Sequence, residues 1–183
     1  MKLDEMRKVL EEADQLYSGN LVEAAIERLS QEITAALQER LPLILCVMNG
    51  GLIFSGQLLP QLQFPLEVSY VHVTRYGDET SGGRLQWQVP PPKTIKNRTV
   101  LLLDDILDEG ITLENIAATC RELGAKEVLK AVLVDKRHER KLTPDHRADF
   151  TGLDIPDRFV FGYGLDYKGF WRNANGIYAV KGL

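Results

Sequence analysis

The residues most suited to chemistry stand together in one stretch, Val100-Leu-Leu-Leu-Asp104-Asp105-Ile-Leu-Asp108-Glu109-Gly110-Ile111-Thr112. An apolar run leads into acidic residues, then a glycine, then a helix start. Such a turn leaves backbone N–H groups pointing outward, and the helix dipole adds partial positive charge, which suits a phosphate. Carboxylates repel phosphate, so Asp104 and Asp105 must serve another group. They can accept hydrogen bonds from hydroxyls or hold Mg²⁺, directly or through water. A ligand with a phosphate at one end and a diol or metal in its middle satisfies both halves, and ribose 5-phosphate has that shape. One Asp or Thr before a helix is ordinarily a cap. The pattern Asp-Asp-x-x-Asp-x-Gly-x-Thr carries more such residues than a cap needs. Neither G-x-x-x-x-G-K-S/T nor G-x-G-x-x-G after the first strand occurs in the chain.

Positioning these groups requires a sheet. Leu3, Met6, Val9, Leu10, Ala13 and Leu16 recur at helical spacing, and Ser18-Gly19-Asn20 ends that helix. Asn20 with Glu23 reads as a capping box for a second helix through Leu37. Leu43 to Met48 is wholly apolar, as expected of a strand covered on both faces. Asn49-Gly50-Gly51 turns the chain into a helix over Leu52 to Leu59. Leu66 to Thr74 reads as a strand, Arg75 to Arg84 as a mobile polar loop, and Leu85 to Val89 as a strand. Thr99 to Leu103 is a buried strand, followed by a helix over Thr112 to Leu123 that Gly124 stops. Val128 to Val134 is the next strand, Lys136 to Ile155 a long polar connection, and Arg158 to Phe161 and Ile177 to Val180 the last strands. This alternation predicts an α/β fold, a mainly parallel sheet flanked by helices, with ligands beyond the strands' carboxyl ends.

With 183 residues, 44% hydrophobic and 26% charged, the chain predicts one globular domain. The net charge of −4 gives no general attraction for nucleic acid. Cys46 and Cys120 form no metal spacing and suit a reducing compartment. No apolar stretch reaches a membrane span and Met1-Lys2-Leu3-Asp4-Glu5 is no signal peptide, so a cytoplasmic protein without nucleic-acid or membrane partners is expected. His72, His138 and His146 are scattered and receive no role. Lys136 stands among Arg137, His138, Arg140 and Lys141, and the later members of this basic run read as a solvated face.

The acidic segment resembles the phosphoribosyl-diphosphate (PRPP) signature of type I phosphoribosyltransferases. Four further segments resemble the hypoxanthine-guanine phosphoribosyltransferase family: Leu45-Cys-Val-Met-Asn-Gly-Gly-Leu-Ile-Phe54, Arg75-Tyr76-Gly77, Val134-Asp-Lys136-Arg137, and Asp154-Ile-Pro-Asp-Arg-Phe-Val-Phe-Gly-Tyr-Gly-Leu-Asp166-Tyr167, with Arg172 following. The resemblance runs from about Leu43 to the C-terminus. It implies a hood over the sheet from the N- and C-terminal segments, and transfer of phosphoribosyl from PRPP to N9 of hypoxanthine or guanine. It implies Asp108 as general base near the purine N7, and a PRPP site of Asp104, Asp105, Asp108, Glu109, Gly110, Ile111 and Thr112, the last four around the 5′-phosphate. Asn49, Gly50, Gly51 and Arg172 would hold pyrophosphate, with a cis peptide at Met48–Asn49. Lys136 would meet the purine O6, Phe159 would stack on the ring, and Val160 would touch its edge through the backbone. Asp166, near the purine's N2 edge, would also bind the base and would join Asp104 and Asp105 in holding Mg²⁺, and Arg75 and Tyr76 would belong to a flexible catalytic loop. A homodimer or homotetramer is implied. Asn49, Arg75 and Glu109 depart from the residues common in relatives. Two rivals stand beside this: a non-catalytic nucleotide-sensing regulator of the same fold, and an aspartate-dependent phosphatase, which would need Asp-x-Asp after the strand.

Overall fold

The computed structural model describes residues 2–76 and 84–182. Its main sheet has six strands: β2 (Leu43–Met48), β3 (Glu67–Tyr76), β4 (Arg84–Val89), β5 (Thr99–Leu107), β6 (Glu127–Arg137) and β7 (Phe150–Pro156), in the order β4-β3-β2-β5-β6-β7. All neighbours run parallel except β4, which is antiparallel to β3. The alternation of side chains along β5 divides the core. Leu101 and Leu103 join Ile44 and Leu133 beneath α2 (Gly19–Leu37) and α3 (Gly51–Leu58), where Val22, Ile26, Leu29, Ile33 and Leu37 form the buried stripe of α2. Leu102 joins Leu45 and Val132 on the opposite face, under Leu113, Ile116, Ala117 and Cys120 of α4 (Ile111–Glu122). Each fully buried Leu or Ile contributes about 1.5–3 kcal/mol. The core therefore holds the strand ends rigidly, and the candidate site sits on those ends.

A second sheet joins the chain's two ends. β1 (Asp14–Ser18), β9 (Gly176–Ala179) and β8 (Val160–Phe161) run antiparallel in the order β1-β9-β8. The first helix, α1 (Lys2–Glu12), docks on the same unit: Trp171 Nε1 donates to the Met6 carbonyl at 2.7 Å. This is the expected hood.

Several sequence expectations need correction. The first helix stops at Glu12, and Leu16 lies in β1, because Gln15 and Tyr17 pair with Tyr178 and Ile177. Long-range pairing there overrides helical spacing. Asn20 lies inside α2, whose N-cap Ser18 makes no side-chain cap bond. β5 continues through Asp104 and Asp105 to Leu107, since Asp104, Ile106 and Leu107 pair with Val132, Val134 and Asp135. Arg75 and Tyr76, expected in a loop, extend β3 by pairing with Leu85 and Arg84; the rest of that expected loop, 77–83, lies outside the described residues. β7 occupies part of the expected polar connection. Cys46 and Cys120 are buried and free. Among the described residues no helix is long and apolar enough to cross a membrane.

Candidate active site

The carboxyl ends of β2, β5 and β6 converge with the hood around a cavity of about 360 Å³. Of the residues singled out from sequence, Asn49, Gly50, Asp104, Asp105, Asp108, Lys136, Phe159, Val160, Asp166 and Arg172 line it. Gly51 begins α3, and Glu109 to Thr112 lead into α4, so these adjoin the cavity without lining it. A larger concavity, about 980 Å³, opens at the amino ends of the strands. Four of its charged residues are engaged in Arg40–Glu127 and Arg98–Glu67 pairs at 2.6 and 2.9 Å, and none of the site residues singled out from sequence lines it.

Three segments meet at the cavity floor with no room for a side chain. The Met48–Asn49 bond is cis. A Cβ on Gly50 would fall on the Asp105 carboxylate, and one on Gly164 would fall on the Gly50 carbonyl. The turn after β2 is thus pressed against the acidic end of β5.

Asp104 and Asp105 are both buried, and the Asp105 N–H donates to Asp104 Oδ1 at 3.0 Å. Burial, then repulsion from Asp105, pushes the Asp104 carboxyl well above the usual carboxylate range. Burial also raises Asp105, against the opposing pull of Asp104 and of Arg172, whose Nη1 stands 3.9 Å from Asp105 Oδ2. One arginine does not compensate two buried carboxylates. Hydroxyl donors or a divalent cation would complete the site. Among the described residues no three His, Cys, Asp or Glu side chains converge as a self-sufficient cage. The pair therefore suits Mg²⁺, which commonly takes one or two carboxylates and fills its shell with water and substrate phosphate. Asp166 is engaged elsewhere: Oδ1 pairs with Arg172 Nη2 at 2.6 Å and Oδ2 accepts the Gly169 N–H at 2.7 Å.

Asp108 is gripped by two donors. Lys136 Nζ donates to Oδ2 at 2.9 Å, and His138 Nε2 lies 2.6 Å from Oδ1. Partial burial pushes the Asp108 carboxyl up, but the hydrogen bonds and charges of Lys136 and His138 outweigh it and hold it below the ordinary range. Sequence reasoning gave His138 no role. Its spacing held a signal: residues 136 and 138 are two apart at a strand end, so they face the same way. Lys141 is also misread as solvated. It is buried against Asp135.

Gly110 is the N-cap of α4, with φ +88°, and a Cβ there would fall on the His146 ring. The Glu109 carbonyl accepts the Leu142 N–H at 3.0 Å, so the chain after β6 backs the turn that opens α4. Gly110→Ala is expected to destabilise the fold by more than about 1 kcal/mol, read as a lower urea midpoint. Phe159 rims the cavity and is 46% exposed, with its ring edge-to-face on Tyr167 at 5.8 Å. Tyr163 and Trp171 serve packing: Tyr163 is buried with its hydroxyl toward Gln57 and Glu23, and Trp171 holds the Met6 carbonyl.

A family model described as the phosphoribosyl transferase domain matches residues 12–168. The hypoxanthine-guanine phosphoribosyltransferase of Bacillus subtilis is 34% identical over 167 residues, covering 91% of this chain and 92% of the relative. The chain belongs to the hypoxanthine-guanine phosphoribosyltransferase family. The family enzyme of Streptococcus pneumoniae is 32% identical over 91% of this chain and 92% of its own. A crystal structure of a hypoxanthine phosphoribosyltransferase from Staphylococcus aureus superposes with a TM-score of 0.86 at 26% identity, covering 93% of each chain. The sheet order and the hood are thus the type I phosphoribosyltransferase fold, as the motifs implied.

Proposed function

We propose that this chain transfers the 5-phosphoribosyl group from PRPP to N9 of hypoxanthine or guanine, giving IMP or GMP and pyrophosphate, in purine salvage. The observation that carries this reading is one cavity lined by both the buried acid pair and the Asp108–Lys136 pair. A sugar phosphate needs the first and a 6-oxopurine the second. The regulator reading gains no support, because the matched relatives and structures are named as phosphoribosyltransferases.

In this reading Glu109, Gly110, Ile111 and Thr112 wrap the 5′-phosphate, mainly through backbone N–H groups at the start of α4. Asp104 and Asp105 accept the ribose hydroxyls. Asn49, Gly50, Gly51 and Arg172 receive the pyrophosphate. Lys136 donates to O6 and Phe159 stacks on the ring, while the Val160 backbone meets its edge. Arg75 and Tyr76, at the end of β3, take a covering role. Asp108 accepts the N7 proton as N9 bonds to C1′ and the C1′–O bond to pyrophosphate breaks, its electrons leaving with pyrophosphate. Asp104 and Asp105 would hold Mg²⁺, with Asp166 if it exchanges Arg172 for the cation. The bound ion would neutralise charge on the departing diphosphate. The 183 residues act as one domain. Two free, buried thiols favour a cytoplasmic setting, and exposed Leu52, Val68 and Tyr70 supply apolar surface for a homodimer or homotetramer.

Pyrophosphate release from PRPP, measured with each purine in turn, tests the reading. Hypoxanthine or guanine should support release, and chelation of Mg²⁺ should abolish it. Adenine presents donors, not an acceptor, to Lys136, so its kcat/KM should be lower by about 10³-fold or more. Efficient AMP synthesis would overturn the Lys136 assignment.

A further inference from the structure

His138 has no part in the scheme above, yet its side chain is only 2% exposed and its ring is fixed at both nitrogens. The Arg140 backbone N–H donates to Nδ1 at 3.0 Å. That bond needs a bare Nδ1 lone pair, so the ring proton sits on Nε2 and is donated to Asp108 Oδ1, 2.6 Å away. A ring held this way cannot itself take the proton from the base, because neither nitrogen offers a free lone pair.

We propose that His138 is a positioning residue that clamps Oδ1 of Asp108, so that Oδ2 is the oxygen that takes the purine proton. The inference deepens the proposed function and rests on it. Its logic lies in the two donors. Lys136 now holds Oδ2. On a 6-oxopurine, O6 and N7 are neighbours on one edge of the ring. When Lys136 donates to O6, its hold on Oδ2 loosens, and N7–H arrives beside that same oxygen. His138 keeps Oδ1 throughout. The carboxylate therefore gains basicity on Oδ2 when the base arrives and does not swing away. The proton passes from N7 to Oδ2, leaving Asp108 neutral, while N9 bonds to C1′ and pyrophosphate departs with its electron pair.

The test measures kcat and KM for hypoxanthine and PRPP in His138→Ala and His138→Gln, each made alone and in the Asp108→Asn background. A hydrogen bond to a charged group corresponds to a loss of about 10-fold or more in kcat for His138→Ala, with both KM values changing by less than about two-fold. His138→Gln places an amide N–H near the position of Nε2 and should recover most of that loss. In Asp108→Asn there is no base to position, so adding His138→Ala should change kcat by less than about two-fold. Equal losses in both backgrounds, or no loss in the wild type, would overturn the inference while leaving Asp108 as base. Near-normal turnover by Asp108→Asn alone would remove the base, and this inference with it.

Discussion

Asp108→Asn is expected to lower kcat with hypoxanthine by about 10²–10³-fold while changing PRPP affinity by less than about three-fold. The amide keeps the volume of the carboxylate and can still face Lys136 and His138, but it cannot accept a proton at neutral pH. In the proposed reading most PRPP contacts fall to the acid pair, the α4 turn and the β2 turn, so binding should survive. A steady-state assay separates the two constants, and a parallel loss in both would argue against the base role. The wild-type pH profile supplies a second readout. Burial raises the Asp108 carboxyl, and Lys136 with His138 overcomes that rise, for a net lowering. The carboxylate is thus ionised through the whole neutral range of the free enzyme. Any acid limb of kcat/KM that appears at or above the ordinary carboxylate range therefore belongs to the raised acid pair, and Asp108 itself lowers the rate only below that range. The same lowered value stabilises the fold above the ordinary carboxylate range, and that contribution is lost as pH falls through the folded value. It is small, because the side chain is 43% exposed and well screened.

How far the sequence reveals this site depends on whether a residue's partner is near it in the chain. The apolar runs of β2 and β5 and the stripe of α4 are local patterns, and they are legible. So is the turn from Asp104 to Thr112, because its acidic residues and glycine exceed what a solvated loop or cap requires. β1 is hidden because its partners, Tyr178 and Ile177, lie at the far end of the chain, and its five residues also fit the preceding helix. β7 is hidden for another reason. It is an edge strand with half-exposed positions and a glycine at 152, where a Cβ would meet the Leu133 carbonyl at 2.5 Å. Its glycine, aspartate and closing proline read as a loop, and its strand character comes from pairing with β6 and from Arg28, which donates to the Gly152 carbonyl at 2.5 Å. His138 and Lys141 are misread together. A basic run is ordinarily solvated, and only the folded acids Asp108 and Asp135 draw these two members inward.

Asp135→Ala should therefore be strongly destabilising, by about 3–5 kcal/mol, seen as a fall in melting temperature of roughly 10 °C. Asp135 is 0% exposed on β6, and Lys141, which donates to its Oδ1, is 4% exposed. Its Oδ2 has no hydrogen bond, and the nearest cations, Arg147 Nε at 3.4 Å and Arg137 Nη1 at 3.9 Å, have a closer anion in Asp154, at 3.0 and 2.6 Å. Removing Asp135 thus leaves the Lys141 ammonium buried with no other acid paired to it among the described residues. Removing both charges is different, because a buried pair replaced by apolar groups of similar volume is often neutral or stabilising. Asp135→Leu with Lys141→Met should recover most of the lost melting temperature. A single variant melting within about 2 °C of wild type would show that the pair is a bystander. The site depends on the outcome, because the chain reversal this pair pins carries His138 to Asp108 and the Leu142 N–H to the Glu109 carbonyl. The single variant should lower kcat at temperatures where it is still mostly folded, and the double variant should restore it only if the reversal returns to its place.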